Sequence, residues 1–374
     1  MRVLLVANFE PDGQQSMQRY AGWLQRALQA RGFEVSVIRP KPFFAKFGVI
    51  PALRKYLGYV DKFLLFPRHL RAAILDSDLV HILDHSNSMY LRTVWEKPNL
   101  ITCHDVLAIR AARGAFAETQ TGWSGKLLQK WILSGLRGAH HILCVSAKTA
   151  EDLKGLLGES GCTVRVIHTP LLWSYQPTPV RPEGLLRRLG LRDDQPYFLH
   201  VGGNQWYKNR TGVLRIFARM IAREEFSQAA LVFAGRPWTE AMRAVMREEN
   251  LEGRVFQAGT ITNEDLQALY SHAQALLFPS LEEGFGLPLV EAQACGCPVM
   301  TTDRPPMSEV VGNGAVLIDP SDPAKAAATI ALGLQNREAL RSAGFQNLAR
   351  FDEKVLLDRY CAEYEAIVAR GAGL

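Results

Sequence analysis

Two doubly wound α/β domains in tandem are the architecture this sequence predicts. Short apolar runs recur along the chain, as strands buried on both faces of a parallel sheet do, and helix-compatible stretches separate them. The rhythm breaks once, in a proline-rich stretch, and then starts again. The length of 374 residues exceeds what one ordinary core organises. With 48% apolar and 21% charged residues, the chain has the balance of a globular protein.

The first strand is expected at residues 3–7, within the opening run MRVLLVANFEP. That run is too short and too soon polar for a secretory signal. An apolar-periodic helix over 20–30 follows and stops at Gly32. Further strands are expected at 34–38, 78–82, 99–102, 141–145 and 164–167, with Ser146 capping a helix that begins near Lys148. Residues 1–170 form the first domain. Residues 171–185, with Pro177, Pro179 and Pro182, read as a linker. The second domain, 186–352, carries strands at 197–201, 230–234, 254–257, 275–278 and 299–302. Two such domains are expected to leave a cleft between them.

Composition narrows the partners. No stretch approaches the roughly 20 apolar residues of a membrane span. Cys103, Cys144, Cys162, Cys295, Cys297 and Cys361 are scattered, mostly in apolar runs, and read as reduced thiols of a cytoplasmic protein. The Cys295/Cys297 pair has no second cluster to complete a zinc site. Residues 1–170 hold 22 Lys and Arg against 13 Asp and Glu, a balance of +9. That leaves 21 against 24, a balance of −3, for the remainder. The first domain is therefore expected to meet something anionic. No G-x-G-x-x-G follows the first strand, which argues against a nicotinamide dehydrogenase.

Residues 280–298, SLEEGFGLPLVEAQACGCP, are the most informative in the chain. Glu283 and Glu291 stand eight positions apart. Gly284, Phe285 and Gly286 lie between them, and a helix-compatible run begins near Leu287. Glycines let backbone N–H groups approach a ligand, and a helix start orients such donors towards an anion or a hydroxyl-rich group. This E-G-F-G-L-P-x-x-E pattern, followed by E-A-x-A-x-G-x-P-V, resembles the Glu-x7-Glu motif of retaining glycosyltransferases of family 4, which have the GT-B fold of two Rossmann-like domains.

The resemblance implies a nucleotide-diphosphate sugar, GDP- or UDP-linked, held mainly by the second domain. Glu291 would bind the ribose hydroxyls, and Glu283 the donor sugar together with Gly284 and the N–H groups of Phe285, Gly286 and Leu287. Ser280 heads the same loop. Lys208 matches the family lysine that neutralises the departing diphosphate. The companion arginine is replaced by Gly203 or Tyr207; Arg210 or Arg236 is the candidate substitute, or backbone donors cover the loss. Near the first helix, where relatives carry two adjacent glycines facing the diphosphate, this chain has Gly13 and then Gln14, Gln15 and Ser16, and Ser16 is the candidate to add a hydroxyl. His104 matches a family histidine near the donor sugar and acceptor, and Asp84, His85 and Asp105 are the acceptor-side candidates.

No Asp-x-Asp motif is present, and the resemblance implies metal-independent transfer without a cofactor. It also implies that the C-terminal helix, about 353–374, returns to the first domain. The implied reaction moves a mannosyl- or glucosyl-type hexose to a glycan or lipid-linked acceptor in polysaccharide or glycolipid synthesis. Nucleic acid is not an implied partner. A GT-B nucleotide-sugar epimerase or hydrolase, or a non-catalytic nucleotide-sugar-binding protein, would use the same donor residues.

Residues 41–72 bear on that choice. Phe43, Phe44, Phe47, Ile50, Leu53, Leu57, Phe63, Leu64 and Phe66 mingle with Lys41, Lys46, Arg54, Lys55, Lys62, Arg68 and Arg71. A basic amphipathic segment suits an anionic membrane surface, here the inner face of the plasma membrane. The same pattern also suits an apolar face packed on the first domain with its basic residues solvated. Together with the loop at His104, the segment favours a transferase, since an epimerase needs no acceptor surface.

Overall fold

The computed structural model describes residues 1–192 and 194–371. Position 193, inside the second domain expected over 186–352, and 372–374, at the end of the C-terminal helix expected over about 353–374, lie outside the described residues. The chain divides into two compact units. One holds Met1–Leu172 with the segment from Glu353, and the other holds Trp173–Asp352. The stretch 171–185, expected as a linker, is thus divided at Leu172, and most of it belongs to the second unit. The Gln176 N–H donates to Gln267 Oε1 and the Thr178 N–H to Ser271 Oγ, each at 3.1 Å, and a helix begins at Glu183.

In the first unit, β1 (Arg2–Val6), β2 (Glu34–Ile38), β3 (Leu79–Ile82), β4 (Asn99–Cys103), β5 (His141–Cys144) and β6 (Thr163–Val166) form one sheet in the order β2-β1-β3-β4-β5-β6. Every pairing is parallel. Strands β3 and β4 are wholly buried, which is why they read as apolar runs, whereas β2 at the edge alternates. The chain moves outward from β1 to β2 and then crosses to β3 on the other side. The β1/β3 junction is therefore the switch point where the loops after the strands diverge.

The first helix, Gln15–Ala30, starts five residues before the expected 20–30. Its opening turn is polar and exposed and so carries no apolar period, while Tyr20, Trp23, Leu24, Ala27 and Leu28 are buried. The C-terminal helix Glu353–Gly371 shares that core. Tyr20 and Tyr360 join hydroxyls at 2.8 Å, and the Trp23 indole N–H donates to Glu353 at 2.9 Å. Ser146 caps the helix Ala147–Leu157, accepting from the Thr149 N–H at 3.1 Å.

Between the helices Pro51–Val60 and Phe66–Ala73, residues Asp61–Leu65 form a π turn. Pro67 explains part of it. Pro67 has no N–H for the Phe63 carbonyl four residues back, and the Phe66 N–H donates to the Asp61 carbonyl five residues back, which leaves the Lys62 carbonyl without a helix bond. The Tyr90 hydroxyl donates there instead, at 3.0 Å.

The second unit repeats the scheme with β7 (Tyr197–Gly202), β8 (Ala230–Gly235), β9 (Val255–Gly259), β10 (Leu276–Phe278), β11 (Val299–Thr302) and β12 (Ala315–Ile318), in the order β12-β11-β10-β7-β8-β9. Strand β12 is an edge strand that the sequence reading did not anticipate. It is short, and its middle is partly exposed. The switch point lies at β7/β10. No described helix is long and apolar enough to cross a membrane.

Candidate active site

The loops after β7 and β10 meet at the second unit's switch point. Lys208 ends the 3-10 turn Trp206–Lys208 after β7, and Glu283 lies in the loop after β10. Lys208 Nζ donates to Glu283 Oε1 at 2.7 Å, with both side chains mostly buried. The ammonium also stands 5.0 Å from the centre of the Phe278 ring. Two residues read separately from the sequence are therefore one ion pair. The loop is held to this partner by the Leu281 N–H, which donates to the Tyr207 carbonyl at 2.7 Å, and by Asn209 Nδ2, which donates to the Pro279 carbonyl at 3.1 Å.

Gly286 makes the turn into the helix Leu287–Ala294. Its φ is 100°, and a Cβ there would sit 2.9 Å from Leu289 Cδ1, so conformation and space both call for glycine. Pro288 has no N–H, which leaves Gly286 and Leu287 to supply the donors at this helix start. Glu291 lies on the same helix, buried, and accepts from the Tyr270 hydroxyl at 3.0 Å. Burial, reinforced by Glu291, pushes the Tyr270 hydroxyl well above its ordinary pKa, so it stays a donor. Ser280 is fully buried, and its hydroxyl has no partner among the described residues.

Arg210, at the start of the helix Arg210–Ile221, is 5% exposed. Its guanidinium lies 4.9 Å from the Phe233 ring centre and donates to the Asn204 side chain. Nε and Nη2 have no partner among the described residues, and burial pulls the group down to about 10. Arg236, the other candidate, is exposed.

The first unit gathers its candidates at its own switch point. Asp84, after β3, accepts from Asn8 Nδ2 at 2.5 Å and from the Ser86 N–H at 2.8 Å. Burial would raise its pKa, but the charges of His85 and His104 and these hydrogen bonds hold it below the ordinary value. His85 Nδ1 is 3.2 Å from Asp84 Oδ1, an ion-pair distance without hydrogen-bond alignment. His104, after β4, donates from Nε2 to the Leu83 carbonyl at 2.8 Å and meets the Tyr20 ring edge-on. Burial lowers its pKa, and Asp84 opposes the shift. Asp105 accepts from the Leu107 N–H at 2.9 Å, at the head of the helix Leu107–Ala112.

Gly13 is left-handed at φ 67° and closes a 3-10 turn, and Ser16 is exposed in the first helical turn. The helix N-cap is Gln14, whose side chain makes no capping bond and instead accepts from Asn8. The residue standing in for a glycine thus ties this loop to Asp84.

Two family profiles match, Glycosyltransferase Family 4 over residues 17–171 and Glycosyl transferases group 1 over residues 184–347. The chain belongs to glycosyltransferase family 4. It is 28% identical to O-antigen chain mannosyltransferase B of Escherichia coli, over 77% of this chain and 74% of that relative. It is 27% identical to the serotype-specific mannosyltransferase WbdA of Escherichia coli, over 60% of this chain but only 28% of that protein. Among solved structures, sucrose-phosphate synthase from Thermosynechococcus elongatus superposes with a TM-score of 0.77 at 20% identity, covering 99% of this chain and 100% of that one. Anabaena HepE, solved with UDP and glucose, gives 0.74 at 15% identity, covering 98% and 100%. These two likenesses establish the GT-B fold.

In this glycosyltransferase several site residues carried no sequence signal. Asn8 matters through its bond to Asp84, and Gln14 through its bond to Asn8, contacts formed only by folding. His200, buried in β7, donates from Nδ1 to the Leu277 carbonyl at 2.8 Å, and its Nε2 has no partner among the described residues. Tyr270 and Asn204 look like ordinary helix and loop residues until their partners, Glu291 and Arg210, are seen. The apolar residues of 41–72 divide. Phe66 is buried and Phe63 packs against the core, whereas Phe43, Phe47, Ile50, Leu53 and Leu64 are between 44% and 62% exposed.

Proposed function

We propose that this enzyme moves a mannosyl-type hexose from a nucleotide-diphosphate sugar to a hydroxyl of a glycan or lipid-linked acceptor in cell-surface polysaccharide synthesis, with retention at the anomeric carbon. The observation that carries the reading is the buried Lys208–Glu283 pair beside the glycine turn and Glu291. The mannosyl preference draws on the name of the Escherichia coli relative.

Glu291 accepts from the ribose diol, a task its two oxygens suit. Glu283 orients the sugar through its hydroxyls. Lys208 has three N–H donors, so it can keep Glu283 and still reach a diphosphate oxygen. Arg210 supplies the second positive charge through its unpartnered nitrogens. The anomeric carbon–phosphate oxygen bond breaks as the acceptor oxygen bonds the same face of that carbon, and the acceptor proton passes to the departing phosphate. The protein contributes position and charge stabilisation of the leaving group. Asp84, His85 and His104 handle the acceptor side, and neutral His104 fits a hydrogen-bonding role near pH 7.

A thermal-shift screen with UDP, GDP, ADP and their sugars tests this. One nucleotide series should stabilise the protein, by about 2.7 kcal/mol at a hundredfold excess over Kd. No response to any nucleotide would undo the reading. Lys208→Ala should fold and lose on the order of a hundredfold in kcat. Near-normal turnover would remove Lys208 from leaving-group stabilisation.

The exposed Phe43, Phe47, Val49, Ile50 and Leu53, beside Lys46, Arg54 and Lys55, support peripheral attachment to an anionic membrane. Each basic residue near such a surface adds about 1 kcal/mol. Co-sedimentation with phosphatidylserine vesicles at low salt should capture the protein, and indifference to them would end this part of the proposal.

A further inference from the structure

A cavity of about 770 Å³ opens in the first unit between the end of edge strand β2 and the helix Phe66–Ala73. Its size falls within the usual range of small-molecule sites, roughly 300–1,000 Å³. Val37, Ile38, Leu65, Phe66 and Ala73 make its lining mainly apolar. The edge position explains why it is not filled: among the described residues no further strand lies beside β2, and the chain after β2 swings out through exposed Phe43.

The polar part of the lining is cationic. Arg39, Lys41 and His69 contribute nitrogen, and Asp61 is the one carboxylate among the lining residues. Asp61 is already committed, because its two oxygens accept the Phe44 and Ala45 N–H groups at 2.9 Å each. Arg39 is shared with Glu10 at 2.5 Å. The Lys41 ammonium has no partner among the described residues. His69 donates from Nδ1 to the Leu65 carbonyl at 3.2 Å, leaving Nε2 for another contact. An apolar recess with an uncompensated cation at its rim complements an apolar chain that ends in an anionic group.

We propose that this cavity binds the hydrocarbon chain of a prenyl diphosphate, the lipid part of the acceptor, with Lys41 and His69 meeting its phosphates. The assignment rests on the lipid-linked acceptor proposed above and gives that acceptor a site. Phe43, which lines the cavity, is exposed, as is Phe47.

Calorimetric titration of the full chain with farnesyl diphosphate tests the assignment. The expected result is a single site, unaffected by saturating nucleotide, with farnesol at least tenfold weaker and inorganic diphosphate without measurable binding. Lys41→Glu, a surface change, should weaken binding at least tenfold. Ala73→Phe, which fills the cavity, should abolish it while nucleotide binding stays within twofold of wild type. If Ala73→Phe loses nucleotide binding through misfolding, Lys41→Glu decides. Wild-type affinity in Lys41→Glu, equal binding of inorganic diphosphate, or displacement by phosphatidic acid vesicles at matched lipid concentration would each overturn the proposal. A protein that binds nucleotide but ignores farnesyl diphosphate loses this site and remains a transferase. One that binds no nucleotide loses the transferase reading itself.

Discussion

Gly286 concentrates more of the site's requirements than any other single residue. Its φ of 100° and the 2.9 Å approach of a would-be Cβ to Leu289 set the direction in which the helix carrying Glu291 begins. Gly286→Ala therefore has two costs, a left-handed alanine and a displaced buried leucine, together about 2–3 kcal/mol. Denaturant unfolding should report that loss. Because the same turn aims the Gly286 and Leu287 N–H groups, nucleotide binding should weaken by about tenfold or more, equivalent to about 1.4 kcal/mol. An alanine variant with wild-type stability and affinity would show that the turn is not fixed by this glycine. Gly286, Glu283 and Glu291 were legible in the sequence because their spacing is local. Arg210 was only a candidate, and Asn8, Gln14 and His200 gave no signal. Their importance comes from partners 6 to 77 positions away, brought close by the sheet order. Periodicity locates strands and helices, but it does not say which buried polar atom will face which.

Elements show the same division. Strands buried on both faces were readable as apolar runs, and half-exposed β2 and β6 were read as well, whereas edge strand β12 was not. Basic and aromatic residues in 41–72 were visible as composition, yet two outcomes fitted them. What the structure adds is Asp61, which is 1% exposed and anchors the backbone at Phe44 and Ala45, leaving Phe43 and Phe47 on the surface. Asp61→Ala would orphan two N–H groups, each costing about 1–3 kcal/mol if they stay buried. The segment has an alternative in water, so the expected outcome is local release. Hydrogen exchange should lose protection at Phe44 and Ala45, and proteolysis should cut within 41–50, while amides of β1 and β3 remain protected. Unchanged protection at 44 and 45 would mean that the π turn, not Asp61, holds the segment. That turn was itself only half legible: Pro67 is plain in the sequence, but Tyr90, which satisfies the Lys62 carbonyl, lies 28 positions away.

Across the whole molecule, each unit has its own core and its own buried histidine. In the first, His81 is fully buried, with Nδ1 2.6 Å from the Tyr364 hydroxyl and Nε2 2.7 Å from the Thr102 hydroxyl. In the second, His200 is equally buried. Burial above all pulls both rings down to about 3. For His81 the charge of His104 adds to the effect; for His200, Arg210 and Lys208 add to it against the Leu277 carbonyl. Both rings therefore hold a proton more weakly folded than unfolded. Stability from this source is complete above the unfolded value of about 6.5 and drains away as pH falls from there towards 3. Between pH 7 and pH 5 each ring should cost about 2 kcal/mol, since one unit of pKa difference is worth about 1.4 kcal/mol. Because the two rings sit in different units, both should weaken together on acidification, and neither should serve as a stable remnant. Denaturant titrations at pH 7, 6 and 5 on the wild type, His81→Asn and His200→Asn measure this. Each substitution lowers stability at pH 7 by disturbing a packed site, so the informative quantity is the slope with pH, which each should reduce by about one proton's worth. Slopes unchanged in both variants would place the acid sensitivity elsewhere, with His104 the next group to replace, since burial lowers its pKa in the same direction.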